Sequence, residues 1–454
     1  MEKGTNSIVK ALFLCLCGLL FISQGNIMAQ NKSSEYIKNW PNWRGPQETG
    51  FYQYGNPPVE FSETKNIKWK LDIPGKGHST PVIWGDQLII TTAVAVGKKA
   101  EKPKEAEAAQ GRRRGMSSNK TDQVHKFIVM SIDRNTGSIL WQTIVREELP
   151  QESTHDLGSW ASNSPVTDGK NIYAYFGSRG LFCLDFDGNI LWERDFGQLN
   201  KRMSFGEGSS PALRDNKIIV LWDDEGQSFI VAIDTKTGKD VWKVDRDEGT
   251  TWGSPLIVDA GGKTQVITNG TTKIRSYDFE NGKIIWETTG MTVNVIPNPI
   301  YADGILHLMS GFRGFALRAI DLAKAKGDIT NTDAVLWKYD QDTPYTPCPL
   351  VMDGKLYFLR INNGYLTCLD ARDGKINYAK QKLEGINAIY SSPIGVNGKI
   401  YIAATETVLV VKAGAEYELL FTNKLDDTFH ASPVVNGNDL FLRGFKSLYC
   451  ISEE

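Results

Sequence analysis

The fold is decided by the stretch AIDTKTGKDVW, residues 232–242. In it an apolar strand ends at Asp234, a turn follows around Gly238, and a second strand ends at Trp242. The same succession of apolar strand, Asp, Gly turn and aromatic strand end recurs along the chain, with the aromatic residue at Trp141, Trp192, Trp286, Trp337 and Tyr378. Self-similarity at a fixed period indicates a repeat architecture.

A proline that is followed by an apolar residue marks every repeat a second time. The eight prolines are Pro81, Pro165, Pro211, Pro255, Pro299, Pro349, Pro393 and Pro433. The six steps from Pro165 to Pro433 span 268 residues, a mean of about 45, which is the length of one four-stranded propeller blade. Segments such as 355–359 (KLYFL), rich in β-branched and aromatic residues, are typical of strands.

The eighth repeat lacks an outer strand of its own. It stops at Cys450-Ile451, whereas Ile67-Lys68-Trp69 precedes the first proline without a blade. Closing the ring with this N-terminal strand would remove the exposed sheet edges. The sequence therefore predicts an all-β, eight-bladed β-propeller over residues 66–452, in which the N-terminal strand closes the last blade. The repeated tryptophans are expected to form a buried structural ring rather than a binding site.

The first 65 residues are expected to lie outside the repeats. Lys3 and Lys10 precede an apolar run over residues 11–22, and Ala29 follows a short polar stretch, which predicts a signal peptide over residues 1–29. The run is shorter than the roughly 20 apolar residues of a membrane span. Residues 30–65 are predicted to be an N-terminal extension. We therefore expect a soluble monomer, periplasmic or secreted.

The net charge argues against some classes of binding partner, and the cysteines indicate how the fold is stabilised. A formal net charge of −2 provides no basic surface for nucleic acid, and no polybasic strip suggests a membrane surface. Four cysteines follow the predicted signal peptide: Cys183, Cys348, Cys368 and Cys450. Three of them hold the same apolar position in different repeats, so we expect buried free thiols in separate blades rather than a disulfide framework.

The pattern A-x-D-x-x-T-G-x-x-x-W, carried here by residues 232–242, resembles the repeat of pyrroloquinoline-quinone (PQQ) propellers. The resemblance runs over nearly all of the chain after the signal peptide. That family includes quinoprotein alcohol dehydrogenases and the outer-membrane protein assembly factor B lipoproteins, which share the ring but not the chemistry. The opening WPNWRGP, residues 40–46, is similar to the start of exported bacterial propeller proteins of unassigned function. The fold alone does not settle the function.

The chain also departs from both relatives. The dehydrogenases carry adjacent cysteines beside the quinone, and this sequence has no Cys-Cys pair. They place a calcium site and an Asp base on segments outside the repeats, for which this chain has little room. The assembly factor is lipidated, whereas Cys15 and Cys17 lie in the middle of the apolar run and give no lipid attachment site.

One face of the ring is predicted to carry the function. The loops that enter the innermost strands and the turns between the second and third strands share this face, which we call the long-loop face. Two of its loops are long, 24 residues from Trp141 to Pro165 and 19 from Trp192 to Pro211, against 12 to 15 elsewhere. The predicted ligand-binding residues on it are His78, Trp160, Arg179, Glu207, Trp252, Asn294, Arg313, Tyr345, Tyr390 and His430.

The residue types on this face leave alternatives open. Its four aromatic residues form either a stacking surface for a sugar, quinone or peptide, or plugs that fill the funnel. His78 and His430 hold equivalent positions in blades 1 and 8, which ring closure makes neighbours. With Glu207 they could take a metal, but no His-x-His or Cys-x-x-Cys spacing supports one, so polar residues at the channel mouth are favoured.

Residues 97–123 replace one middle turn of blade 1. The segment is charged, poor in hydrophobic residues and contains GRRRG at 111–115, which predicts a disordered loop whose deletion would barely affect stability. The alternative is a flexible lid or a partner-binding arm, because the segment projects from the long-loop face.

The sequence favours a binding platform without catalysis of its own, and without a resident cofactor. We expect it to recognise a protein or another cell-envelope component on the long-loop face. The alternative is a PQQ-dependent dehydrogenase that oxidises an alcohol or a sugar, with the quinone between Trp160 and Trp252. That enzyme needs calcium and a carboxylate base, for which Glu207 and Asp223 are the near candidates.

Overall fold

Eight antiparallel sheets of four main strands each, the blades, follow one another around a ring. The computed structural model describes residues 33–99, 118–119 and 121–453. The predicted signal peptide and most of the predicted insertion lie outside the described residues. Three short helices are described, the α-helix Ser34–Lys38 and the 3₁₀ turns Gly177–Arg179 and Arg202–Ser204. Within the described ranges, none of the helices has the length and apolar character needed to cross a membrane.

The first four blades contain the following strands, from the channel outward. Blade 1 has Val82–Trp84, Gln87–Lys99, Gln123–Asp133 and Ile139–Glu148. Blade 2 has Val166–Thr167, Ile172–Tyr175, Leu181–Leu184 and Ile190–Arg194. Blade 3 has Ala212–Arg214, Lys217–Trp222, Ser228–Asp234 and Asp240–Arg246. Blade 4 has Leu256–Ala260, Lys263–Thr268, Ile274–Asp278 and Ile284–Thr288, with Gly327–Asp328 added in parallel at its edge.

The other four blades repeat this order. Blade 5 has Ile300–Ala302, Ile305–Ser310, Ala316–Asp321 and Val335–Lys338. Blade 6 has Leu350–Met352, Lys355–Leu359, Tyr365–Asp370 and Ile376–Lys382. Blade 7 has Ile394–Val396, Lys399–Ala403, Thr405–Lys412 and Leu419–Thr428. Blade 8 has Val434–Asn436, Asp439–Arg443, Ser447–Ile451 and, as its outer strand, Ile67–Asp72. A two-stranded sheet joins Ser118–Asn119 to Thr154–His155.

The N-terminal strand closes the ring, as predicted. Ile67–Asp72 pairs antiparallel with Ser447–Ile451, and Trp69 lies opposite Cys450. The chain thus supplies the missing outer strand of blade 8 from its other end, which leaves no blade with an unpaired third strand.

The repeated motif links each blade to the next. Trp192 Nε1 donates to the Thr235 carbonyl at 2.9 Å. Gly238, at φ +66°, lies so close to the Trp192 ring that a Cβ would sit 2.8 Å from it. The same bond to the following turn is made by Trp69, Trp141, Trp242 and Trp337. The Gly turn and the Trp are therefore two halves of one contact between blades. Trp286 differs, because it donates to Gln265 of its own blade.

The central channel is filled by residues 39–56, which we call the channel segment. Backbone bonds tie it to the innermost strands of four blades: Trp40 to Ile83 in blade 1, Pro41 to Thr167 in blade 2, Thr49 to Val351 in blade 6, and Phe51–Tyr52 in parallel to Ile394–Val396 in blade 7. Trp40 is fully buried and packs against Tyr52. The predicted N-terminal extension is thus integrated into the centre of the ring, a placement that the repeat pattern did not indicate.

Arg44 lies at the centre of the channel segment. Its Nη2 donates to the carbonyls of Pro349 and Pro393 at 2.8 and 3.1 Å. These are two of the repeated prolines, whose carbonyls face the channel. The repeated prolines of blades 6 and 7 therefore also provide hydrogen-bond acceptors for the channel segment.

The four cysteines are free and buried, which confirms the predicted burial. Burial raises the pKa of the Cys183 thiol to about 12 and that of Cys368 to about 11, and it raises the pKa of Cys450 as well.

Because the reactive species is the thiolate, we expect Cys183, Cys368 and Cys450 to resist a thiol reagent in the native protein. Mass spectrometry after labelling checks this, with three additional adducts appearing only in denaturant. Rapid native labelling of these thiols would contradict it.

Candidate functional site

The predicted site residues form three contact groups on the long-loop face. The first, the histidine group, joins the loops before blades 1, 7 and 8. The His78 and His430 rings are 5.1 Å apart between centroids, so the predicted neighbours do meet. Phe445 stacks on His78 at 4.8 Å, and Tyr390 contacts His430 at 4.6 Å. Burial lowers the pKa of both histidines, to about 4 for His430, which favours neutral rings at pH 7.

The second group surrounds an open cavity of about 290 Å³ between blades 1, 2 and 3. We call it the carboxyl cavity, because Glu152 and Glu207 line it beside Trp160 and Arg179. Glu207 accepts from the backbone N and Oγ of Ser178, at 2.7 and 2.6 Å. Burial raises the pKa of Glu207 and, with the Glu207 charge as the second cause, raises that of Glu152 to about 8.

The walls of this cavity are fixed by the two long loops. Trp160 Nε1 donates to the Glu152 carbonyl at 2.9 Å, and Trp252 Nε1 donates to the Gly206 carbonyl at 2.8 Å. Arg179 donates to the carboxylate of Glu148 at 2.8 Å on the rim. Glu152 was not among the predicted residues. The sequence feature that could have identified Glu152 is its position in the longest loop, eight residues before Trp160.

The third group lies between blades 4, 5 and 6. Phe312 and Tyr345 stack at 4.8 Å. Burial raises the pKa of Tyr345, and a hydrogen bond with Asn294 opposes the shift. Arg313 is exposed and lies over the Phe312 ring at 5.4 Å. The predicted residues are therefore distributed around the face rather than gathered into one pocket.

A buried ionic network is joined to the carboxyl cavity through Lys201, whose backbone N donates to Glu152 Oε2 at 3.2 Å. Arg246 donates to both carboxylate oxygens of Asp223, with its Nε at 2.8 Å, and both side chains are about fully buried. Thr251 donates to the same carboxylate at 2.5 Å. Lys201 is buried and donates to the carbonyls of Asp223 and Thr251. Asp223, a candidate base in the sequence, is thus engaged in structural bonds.

The long-loop face also holds strained backbone. Met203, Arg313 and Ile361 adopt φ of 60°, 54° and 51° in its loops. Side chains of this size cost about 1–3 kcal/mol each in such a conformation. The turns of the opposite face use Asp and Asn at positive φ instead: Asp215, Asp303, Asp353 and Asn397. These residue types favour that conformation, whereas the turns of the long-loop face include bulky residues in it, as do Glu48 in the channel segment and Lys380 in an outer strand.

Three large apolar side chains are exposed on loops of this face: Leu157 at 38%, Met203 at 44% and Val293 at 38%. The other exposed apolar side chains in the described part of the chain lie on outer strands, at or near the position before the aromatic strand end: Ile139, Leu140, Ile144, Ile190, Leu191, Val241, Ile284, Leu336, Ile376 and Leu419. Because they recur with the repeat, they belong to the architecture, whereas the three loop residues do not.

The carboxylates that the sequence offered as a base or a cation ligand have protein partners in the structure. In the described part of the chain, no group of three or more His, Cys, Asp or Glu side chains is placed to hold a metal ion. Of the two candidate carboxylates, Asp223 accepts a hydrogen bond from Arg246 in an ion pair, and Glu207 accepts a hydrogen bond from Ser178.

The raised pKa of Glu152 predicts that the stability of the protein depends on pH. The pKa of Glu152 lies at about 8 in the folded protein against an ordinary value of 4.5. The folded state therefore binds more protons, and this contribution to stability is lost as the pH rises from about 4.5 to 8. We expect Glu152→Gln to stabilise the protein relative to wild type increasingly from pH 5 to pH 9, as measured by thermal unfolding. A difference that stays flat with pH, or that matches the rim variant Glu148→Gln, would contradict the assignment.

Comparison with known proteins identifies the family to which the chain belongs. A family model described as outer membrane protein assembly factor BamB matches residues 125–380, more than half of the chain. The BamB protein of Yersinia pestis is 19% identical over 337 residues, covering 70% of this chain and 78% of its own. The crystal structure of BamB from Moraxella catarrhalis has a TM-score of 0.54 at 15% identity, covering 75% of this chain and 94% of its own. A europium-containing methanol dehydrogenase has a TM-score of 0.63 at 12% identity and covers 90% of each chain. At such identities the solved structures establish the fold alone.

Proposed function

Because this chain belongs to the family of the outer membrane protein assembly factor BamB, we propose that it is an exported scaffold that binds a protein through its long-loop face and carries out no catalysis itself. The observation that carries the proposal is the exposure of Leu157, Met203 and Val293 on loops of that face. Apolar side chains with a polar rim are the usual anchors of a protein interface.

The surroundings of these three residues support the proposal. The histidine group, with Tyr390, and the stacked Phe312 and Tyr345 provide half-buried aromatic surface on the same face. Aromatic residues are enriched at the energetic centres of protein interfaces.

Replacing the three exposed residues by serine tests this proposal. Three anchors of about 1 kcal/mol each would weaken binding on the order of 100-fold. We therefore expect the Leu157→Ser/Met203→Ser/Val293→Ser variant to lose a protein partner that the wild type retains from an envelope extract. The matched control, Leu191→Ser/Val241→Ser/Ile376→Ser, removes residues from outer strands that are at least as exposed and should retain it. Equal retention by both variants, or loss only from the control, would refute the proposal.

The dehydrogenase is the second candidate, and the likeness to a methanol dehydrogenase in fold is what recommends it. The occupied carboxylates of Asp223 and Glu207 argue against it. Calorimetric titration with PQQ and calcium, followed by dye reduction over a panel of alcohols and sugars, distinguishes the two. We expect neither stoichiometric binding nor turnover. Tight binding with turnover would replace the scaffold by the enzyme.

A further inference from the structure

The residue before each repeated proline has a side chain that can accept a hydrogen bond. These eight residues are Thr80, Ser164, Ser210, Ser254, Asn298, Cys348, Ser392 and Ser432. All of them are buried except Asn298, which is half-buried. In every blade, the backbone N–H of this residue donates to the side chain of the corresponding residue in the next blade. The eight bonds therefore form a closed circle, which we call the pre-proline ring.

The pre-proline ring has no gap. Seven acceptors are oxygen atoms that lie 2.7 to 3.1 Å from the donating nitrogen. The eighth acceptor is Cys348 Sγ, at 3.2 Å from the backbone N of Asn298. The bond from Ser432 N to Thr80 Oγ1 joins blade 8 to blade 1. The two ends of the chain are thus joined twice, at the outer edge by the strand Ile67–Asp72 and at the inner edge by this bond.

We propose that the pre-proline ring acts as a single clasp, which closes the propeller at its inner edge and opens as a whole. A blade in a closed circle is held from both sides, so it moves outward only if the bonds to both neighbours lengthen. Once one bond is broken, the remaining seven form an open chain whose ends are free to separate. The proposal concerns how the ring stays closed and does not rest on the proposed function.

The channel segment braces the clasp in blades 6 to 8. Trp43 Nε1 donates to Ser432 Oγ, a member of the pre-proline ring, at 3.2 Å. Arg44 donates to the carbonyls of Pro349 and Pro393, each of which directly follows a member. The extension before the repeats therefore holds the inner edge of the ring as well as filling the channel.

The clasp also lies where the entry loops of the long-loop face end. His78 and His430 precede Thr80 and Ser432 by two residues each. Their rings are in contact at the boundary of blades 1 and 8, where the bond between Ser432 and Thr80 closes the circle. An opening of the clasp would separate these loops, so the clasp fixes their relative positions.

Hydrogen–deuterium exchange, resolved to single residues by mass spectrometry, tests the proposal on the full chain. Thr80→Val keeps the shape of the side chain and removes the acceptor of the Ser432 N–H. Leaving one buried donor unmet should accelerate exchange at Ser432 about tenfold. We expect a comparable acceleration at the Asn298 N–H, four blades away. Separate bonds at distant sites act independently, so acceleration confined to Ser432 would overturn the proposal.

Thr367→Val provides the matched control. Thr367 is fully buried in blade 6, outside the pre-proline ring, and its Oγ1 accepts from the backbone N of Lys380 at 3.2 Å. This variant should leave the exchange of the ring amides unchanged. Equal acceleration of those amides in both variants would show a general loss of stability and would reject the clasp.

Cys348→Ser tests the clasp in the opposite direction and decides the question should Thr80→Val fail to fold. Oxygen is a stronger hydrogen-bond acceptor than sulfur. We expect slower exchange at Asn298, whose N–H donates to position 348, and also at Ser432 on the far side of the circle. Slower exchange at Asn298 alone, or no change at either amide, would contradict a single clasp.

Discussion

Replacement of Trp40 by alanine is expected to destabilise the protein by about 3–5 kcal/mol, the usual cost of removing a fully buried aromatic side chain. Trp40 has no exposed surface, packs against Tyr52, and exchanges two backbone hydrogen bonds with Ile83 of blade 1. It therefore anchors the channel segment to the ring. Its loss would leave a cavity between the channel segment and the innermost strands.

Chemical unfolding followed by circular dichroism measures this effect. Trp40→Phe fills most of the volume and should recover a large part of the lost stability, which separates packing from general intolerance of the position. A Trp40→Ala variant within 1 kcal/mol of the wild type would show that the channel segment contributes little to the stability of the ring.

Replacement of Asp223 by alanine is expected to cost about 3–5 kcal/mol as well, because it leaves Arg246 buried without a counterion. The pair is buried on both sides, and Thr251 completes the bonds of the carboxylate. The double variant Asp223→Leu/Arg246→Met removes both charges and should recover most of the loss, since a buried ion pair and an apolar pair of similar volume are often equally stable.

An exposed ion pair provides the control for this prediction. Lys324 and Asp333 are 2.9 Å apart, but their side chains are 48% and 82% exposed. Asp333→Ala should leave the free energy of unfolding almost unchanged, because exposed ion pairs contribute little. If Asp223→Ala destabilises the protein as little as Asp333→Ala, the network around Asp223 and Arg246 does not hold the long loops.

The fold was largely predictable because the determinants of the ring are local and repeated. Eight prolines and one unmatched strand suffice to predict the closure at Trp69, since each blade obeys the same pattern. The contact between His78 and His430 follows from that closure, because equivalent positions in neighbouring blades lie side by side.

The channel segment could not be predicted in this way. Its bonds join Arg44 to Pro349 and Pro393, which lie 305 and 349 residues further along the chain. No period relates residues 39–56 to the repeats. The sequence indicated only an extension of unknown placement there.

The sequence predicted where the candidate site residues lie better than it predicted what each residue does. The long loops marked the correct face, yet an acidic residue in a turn gives no sign of whether it faces solvent or a buried arginine. Asp223 and Arg246 are 23 residues apart, and their pairing depends on where two strands of blade 3, Lys217–Trp222 and Asp240–Arg246, end. Burial raises the pKa of Glu152, and the second cause is Glu207, 55 positions away in the next long loop.

The claim that the long-loop face is the binding face can be tested by site-specific photo-crosslinking in living cells. A photo-reactive amino acid placed at Leu157 lies on that face, and one placed at Leu191, which is 53% exposed, lies on an outer strand. We predict a discrete protein adduct from position 157 and none from position 191. Adducts from position 191 alone, or equal adducts from both, would contradict a binding platform on the long-loop face.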